Sequence, residues 1–384
     1  MQLRFIITLG LISLLPLSLH CDAKKSLLQS NAFPLNTTEA SNAINSRINL
    51  IKMATTKAID QSLLPFSGSV ILLDNGDPVL ALQKGDEIIA EPSFVIASLS
   101  KQITATLILQ AVDAGKLNLN RSLNNYLFAD VISNTSHLDL ETKAGPISPI
   151  PNRYDDNISI HHLLSHTSGV AELGKPNRFE PGSQFEYSNF GYALLGELLE
   201  KVNQQSFSSQ IAQFAQVNHL SALYAEVGSI DAIRVRLPTL AIGLNESDTL
   251  IPSNIVIDES LLPAGGLIAS AKAFASFQHR LHNGDFISPE SYQLMTHSHT
   301  SIKFLWPDMS YGYGLRINRQ DGITEYSHTG YLPGYMSMSL HYPEFNLDLV
   351  MLENISLNLN DLSRVFQLHN QIRQIIREQL LVSK

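Results

Sequence analysis

Strand-like segments stand near both ends of this 384-residue chain, with a long helical and loop-rich stretch between them. Near the start, Ser69 to Leu73 and Val79 to Leu82 are apolar runs around Asp74-Asn75-Gly76-Asp77, the pattern of a β-hairpin. Near the end, Tyr311 to Leu315 and Thr324 to His328 read as strands. Met336 to Tyr342 then alternates, Pro343 to Asn346 turns, and Leu347 to Leu352 continues as a further strand. From Lys116 to about Leu262 the pattern is helical, with polar connectors such as Ser133 to Ser136 and Gly145 to Tyr154. A chain ordered this way builds one α/β domain from both ends and carries its middle as an inserted subdomain. The expected boundaries are 36–115 and 263–384 for the sheet part and 116–262 for the helical part. A small-molecule site is expected in the cleft between them.

Helices close both ends of this plan. Asn36-Thr37-Thr38-Glu39 offers capping residues ahead of Ile44, Ile48, Ile51 and Ala58, with Pro65 and Gly68 as the stop. Leu362 to Leu381 is amphipathic, with Val365, Phe366, Ile372, Ile375 and Ile376 on its apolar side. The first residues read as an export signal. An apolar run from Phe5 to Leu19 precedes Cys21-Asp22-Ala23, which predicts a signal peptide over 1–23 and a mature domain over 24–384. A periplasmic or secreted location follows. Lipidation of Cys21 is the competing reading, and His20 fits it poorly. Cys21 is the only cysteine, so cleavage after Ala23 leaves a chain without disulfides. No other stretch is long and apolar enough to span a bilayer. The net charge of −9 gives no basic footprint for nucleic acid.

The chemistry starts at Ser98-Leu99-Ser100-Lys101, the only Ser-x-x-Lys in the chain. Residues three apart on a helix share a face, so an amine there can take the proton of the hydroxyl. Apolar residues Phe94 to Ala97 precede the pair, and Ile103, Leu107, Ile108 and Val112 follow it, with Gly115 as the helix stop. A lysine at the entrance of such a helix is buried, and burial lowers its pKa. Tyr187-Ser188-Asn189 lies on a loop before a helix over Ala193 to Val202, where a phenol can act as acid or base. His328-Thr329-Gly330 is expected at a strand end before the loop Tyr331 to Gly334, leaving amide donors free for an oxyanion. His162 and His166 have metal-ligand spacing, but no suitable carboxylate completes a site and both read as structural. His297 and His299 read as surface residues.

Taken in order, Ser98-x-x-Lys101, Tyr187-Ser188-Asn189 and His328-Thr329-Gly330 resemble the three motifs of the serine penicillin-recognising enzymes. The branch they resemble is the class C β-lactamase family, which also holds soluble DD-carboxypeptidases, esterases and D-amino-acid peptidases. Gly115 to Leu119, His162 to Gly169, Pro181 to Glu197, Pro263 to Leu267 and Tyr311 to Leu315 look like that family's connecting segments. The resemblance implies a β-lactamase/transpeptidase-like fold, with an antiparallel sheet flanked by the terminal helices. It implies Ser98 as the acylated nucleophile, Lys101 as its activator and Tyr187 as a proton carrier. Asn189 would bind the substrate amide, and His328 and Thr329 would face a substrate carboxylate or the Tyr187 hydroxyl. The amides of Ser98 and Tyr331 would form the oxyanion hole, with Gly330 allowing close approach.

Histidine at 328 and serine at 188 depart from the lysine and alanine of true class C β-lactamases and are similar to the DD-carboxypeptidases and esterases. Ser327 stands where glycine is usual, and Tyr331 is bulkier than is common, which narrows the cleft there. The expected function is an exported serine hydrolase working through an acyl-enzyme on amides or esters of the D-Ala-D-Ala type, with no cofactor and no metal. Its expected partners are small substrates: a peptidoglycan-type peptide, a β-lactam or an ester. A non-catalytic binding descendant of the fold is the alternative from another class.

Overall fold

The computed structural model describes residues 37–85, 89–128 and 153–382. The expected signal peptide with Cys21, the connector at 133–136 and most of the one at 145–154 lie outside them. Residues from Ile44 onward form one compact unit.

Eight strands form a wholly antiparallel sheet. They are β1 (Gly68–Asp74), β2 (Asp77–Lys84), β3 (Thr300–Ile302), β4 (Met309–Tyr311), β5 (Arg316–Gln320), β6 (Ile323–Leu332), β7 (Tyr335–Tyr342) and β8 (Leu347–Glu353). The spatial order is β3-β4-β5-β6-β7-β8-β1-β2, so the first hairpin closes onto the last strand of this sheet. Side chains alternate between two cores, as the two-residue period of a strand requires. Val70, Leu72, Leu349 and Met351 face helix α1 (Thr37–Asp60) and the C-terminal helix Gln367–Leu381. Leu73, Val350 and Leu352 face the larger core. That core is built around α2 (Ser100–Asp113), α3 (Ile160–Leu164), α4 (Asn189–Asn203) and α5 (Ala271–His282). The C-terminal helix is α6. Helix α2 is buried almost all round, from Ser100 through Leu109, as the central helix of such a core must be.

Four expectations change. Tyr311 to Leu315 is not one strand: β4 ends at Tyr311, and Gly314 turns the chain at φ +73°. A Cβ on Gly314 would lie 2.6 Å from the Lys101 carbonyl oxygen, so the glycine lets this turn press against α2. His328-Thr329-Gly330 lies inside β6 rather than at its end, because pairing with β7 continues to Leu332 opposite Tyr335. The C-terminal helix is interrupted at Phe366, leaving Leu362–Val365 as a separate turn before α6. The middle of the chain also holds short strands, among them Leu244–Glu246 and Leu250–Pro252.

Two buried acids tie helices to the sheet. Glu325 on β6 accepts from Arg373 Nε of α6 at 2.7 and 2.9 Å and from the Tyr342 hydroxyl at 2.9 Å. Asp348 on β8, fully buried, accepts from Gln278 Nε2 (2.8 Å), His279 Nδ1 (3.0 Å) and His341 Nδ1 (2.8 Å). Burial alone would raise the Asp348 pKa, but the hydrogen bonds from His279 and His341 outweigh it and hold the pKa below its ordinary value of 3.8. A carboxyl with a depressed folded-state pKa adds stability above its unfolded pKa and loses it as pH falls through the folded value. Asp348→Asn is therefore expected to cost about 3 kcal/mol near pH 7, the scale for breaking a buried charged network. The deficit should shrink on acidification below about pH 4, which melting curves across pH will test.

Candidate active site

Ser98 sits in a 3-10 turn, Ala97–Leu99, that joins the short strand Ser93–Val95 to α2. Ala97 has a left-handed backbone, φ +47°, which costs a residue with a Cβ about 1–2 kcal/mol. The turn is held from several sides. Ser100 Oγ donates to Ala97 O (2.8 Å) and accepts from Leu267 N (3.2 Å), while Ser337 Oγ of β7 donates to Ile96 O (2.8 Å). Such clamping maintains a strained turn that presents the half-buried Ser98 hydroxyl.

Lys101 is fully buried one helical turn on. Its Nζ donates to Ala264 O at 2.5 Å and Asn189 Oδ1 at 2.8 Å, and lies 3.5 Å from Ser98 Oγ. Burial, then the charge of Arg316, pushes its pKa well below the usual 10.5. A neutral amine has two N–H donors and one lone pair. Here the two donors meet two acceptors, which leaves the lone pair for the serine proton.

Tyr187 belongs to the extended segment leading into α4, where the Ser188 side chain caps the helix by accepting from Gly191 N (2.9 Å). Asn189 is the first helical residue, and that position brings its side chain to Lys101. The Lys101 Nζ lies 4.8 Å from the centre of the Tyr187 ring. The Tyr187 hydroxyl is buried and forms no completed hydrogen bond. Burial pushes its pKa up to about 12, against smaller opposing effects of Arg316 and the nearby Ser98 hydroxyl, so the phenol keeps its proton at neutral pH.

His328 is fully buried, and both of its nitrogens are engaged. Nδ1 lies 2.7 Å from Thr329 O, a pure acceptor, so Nδ1 carries the proton. Nε2 then accepts from the Tyr311 hydroxyl at 2.9 Å. Burial, then the charge of Arg316, keeps the ring neutral. In place of facing a carboxylate or the Tyr187 hydroxyl, as the sequence suggested, it holds Tyr311. Tyr331 likewise turns its hydroxyl to Leu357 O at 2.7 Å. Gly330 lies against Ser98: a Cβ there would stand 2.9 Å from Ser98 N and 2.8 Å from Ala97 Cβ. Pairing of β6 with β5 ends at Ser327, so the β6 edge beyond it has no strand neighbour on that side.

Arg316 belongs to none of the three motifs, yet it reaches the site. It projects from β5 between the buried Leu315 and Ile317, is 7% exposed, and donates from Nη1 to Thr329 Oγ1 at 3.0 Å. Its guanidinium lies 3.9 Å from the centre of the Phe304 ring. Among the described residues no carboxylate forms an ion pair with it. An arginine set between two apolar residues, Leu315 and Ile317, was the available signal. His299 is not a plain surface residue either: it is half-buried and stacks on Tyr313 with ring centres 4.3 Å apart. His166 packs beside Tyr187. A cavity of about 530 Å³ opens beside Asn189 and Ala264, with Tyr154, Phe190, Glu197 and Phe207 in its lining.

A hydroxyl–amine pair, a protonated phenol and a bare strand edge thus lie together, on a fold built from both chain ends. The β-lactamase family model matches residues 66–371, most of the chain and every one of these groups. The chain belongs to the β-lactamase family. With that membership comes the serine-hydrolase class and the antiparallel β-lactamase/transpeptidase fold expected from the motifs. "Penicillin-binding protein 4" of Amycolatopsis lactamdurans is 25% identical over 310 residues, covering 72% of this chain and 76% of its own. "Protein flp" of Staphylococcus aureus is 24% identical over 322 residues; the match spans 75% of this chain but only 59% of that relative. The solved β-lactamase/D-alanine carboxypeptidase of Pseudomonas syringae superposes with a TM-score of 0.64 at 18% identity, covering 86% of this chain and 99% of that one.

Proposed function

We propose that this β-lactamase-family member is an exported serine hydrolase that cleaves D-Ala-D-Ala-type peptides ending in a free carboxylate, through an acyl-enzyme on Ser98. The observation that carries the substrate class is the buried guanidinium of Arg316, which reaches the site strand at Thr329 and, among the described residues, forms an ion pair with no carboxylate. An uncompensated buried charge costs several kcal/mol. A substrate carboxylate at Thr329 supplies the missing anion, with the bidentate geometry arginine favours. The names of the relatives support the same reading. Export rests on the apolar run from Phe5 to Leu19.

In this mechanism the Lys101 lone pair takes the Ser98 proton as Oγ attacks the substrate carbonyl carbon. The amides of Ser98 and Tyr331 receive the developing oxyanion. As the C–N bond breaks, the leaving amine takes a proton relayed through Tyr187, which is protonated at rest. Water then attacks the ester, the acid departs, and Ser98 regains its proton.

Intact-mass measurement after exposure to penicillins, D-Ala-D-Ala peptides and short-chain esters tests the reading. A penicillin adduct that peptide mapping places on Ser98 is expected; absence of any adduct across the panel would make the protein a binder. Arg316→Gln is expected to raise KM for a peptide with a free C-terminal carboxylate about 30-fold or more. Turnover of a short ester without a carboxylate should change little. Equal losses on both substrates would remove the carboxylate assignment.

A further inference from the structure

Tyr187 presents a positional problem. Its hydroxyl faces the Ser98 hydroxyl without a well-formed hydrogen bond, so the polar end of the side chain is only loosely held. Its placement has to come from the backbone on either side and from the rings packed against it.

One residue supplies both. His166 follows α3 with a left-handed backbone, φ +58°. Its carbonyl oxygen accepts from Glu186 N at 2.9 Å, and its Nδ1 accepts from Ser188 N at 3.1 Å. The residues before and after Tyr187 are therefore both tied to His166. The imidazole also packs on the phenol, with ring centres 4.3 Å apart and planes 36° from parallel. Because an amide donates to Nδ1, that nitrogen carries no proton, and the neutral ring keeps its proton on Nε2. Nε2 is buried without a hydrogen-bond partner, and the ring meets Tyr311 edge-on at 4.8 Å. A ring 1% exposed that leaves one polar atom unsatisfied does not maximise stability.

We propose that His166 is a positioning residue that sets the place of the Tyr187 phenol against Ser98 and Lys101, through the Ser188 amide and the ring stack. This rests on the reading of Tyr187 as the proton carrier. Burial above all, with the charge of Arg316, keeps His166 unprotonated, which preserves Nδ1 as an acceptor. A misplacement of about 1 Å can cost a hundredfold in rate, so a residue that touches no substrate can still govern turnover.

The test measures acylation by a fluorescent penicillin as a function of concentration in the full chain. His166→Phe keeps a ring but loses the acceptor. It is expected to lower the maximal rate about 30-fold while leaving the half-saturating concentration within about twofold. His166→Asn places an amide oxygen where Nδ1 stood, and asparagine tolerates a left-handed backbone. It should restore the rate to within about threefold of the parent. In a Tyr187→Phe background, His166→Phe should cost less than about twofold more, because both changes act on one group. Additive losses, or no rescue by asparagine, overturn the positioning role and leave the Tyr187 reading intact. A Tyr187→Phe protein as fast as the parent removes that reading and this one with it. Should the Phe variant lack a cooperative melt, His166→Ala, which also lacks the acceptor, carries the same comparison.

Discussion

Lys101→Met is expected to lower the acylation rate by about 10²–10⁴, the range for losing a well-placed general base. The effect should fall on the maximal rate, since the amine faces Ser98, Asn189 and Ala264. Methionine fills a similar volume, so the fold should persist. Stability gives a second readout, and its sign follows from proton linkage. Burial holds the Lys101 pKa well below 10.5 in the folded protein, so the unfolded chain binds the extra proton over the pH range between the two values. The lysine therefore weakens the fold progressively as pH falls from about 10 toward the folded-state pKa. Methionine has no such dependence. The melting temperature of the variant, taken relative to the parent, should rise between pH 10 and pH 7. A relative melting temperature that is flat with pH would mean that Lys101 is charged in the folded protein, and the lone-pair mechanism would fall.

The legibility of this site in the sequence divides along the same physical line. Ser98 and Lys101 were readable because one helical turn fixes their proximity, and the apolar residues around them announced the burial that neutralises the amine. The hairpin at Asp74 to Asp77 and the strands after Met336 were readable from turn chemistry and a two-residue period. Arg316 was not, because its meaning depends on which strand lies beside it. Only the pairing of Arg316 with Ser327 across β5 and β6 brings its guanidinium to Thr329. The orientation of His328 was hidden for a related reason: which nitrogen meets which partner depends on Tyr311, 17 positions away. His166 looked structural from its spacing, and only the return of the chain at Glu186 and Ser188 shows what it holds. Gly314 read as part of a strand and Gly330 as a strand end, whereas each lies in a close approach between elements that exists only in three dimensions.

Gly330→Ala should therefore be costly out of proportion to a single methyl group. The new Cβ would collide with Ser337 Oγ and stand 2.8 Å from Ala97 Cβ and 2.9 Å from Ser98 N. Ser337 cannot swing aside freely, since its hydroxyl donates to Ile96 O at 2.8 Å and helps clamp the nucleophile turn. The remaining relief is for β6 to draw back from Ser98, which carries the Tyr331 amide with it. Removing one oxyanion donor costs about 10²–10³ in turnover, and overpacking a tight contact costs about 1–3 kcal/mol of stability. The two effects separate in a double variant. Adding Ser337→Ala removes the worst collision and should return part of the lost melting temperature. Turnover should stay low, because the contacts with Ala97 and Ser98 remain and those hold the strand edge away from the reacting carbonyl. Recovery of activity together with stability would show that the Ser337 clash alone was at fault, and that the β6 edge does not supply the oxyanion donor.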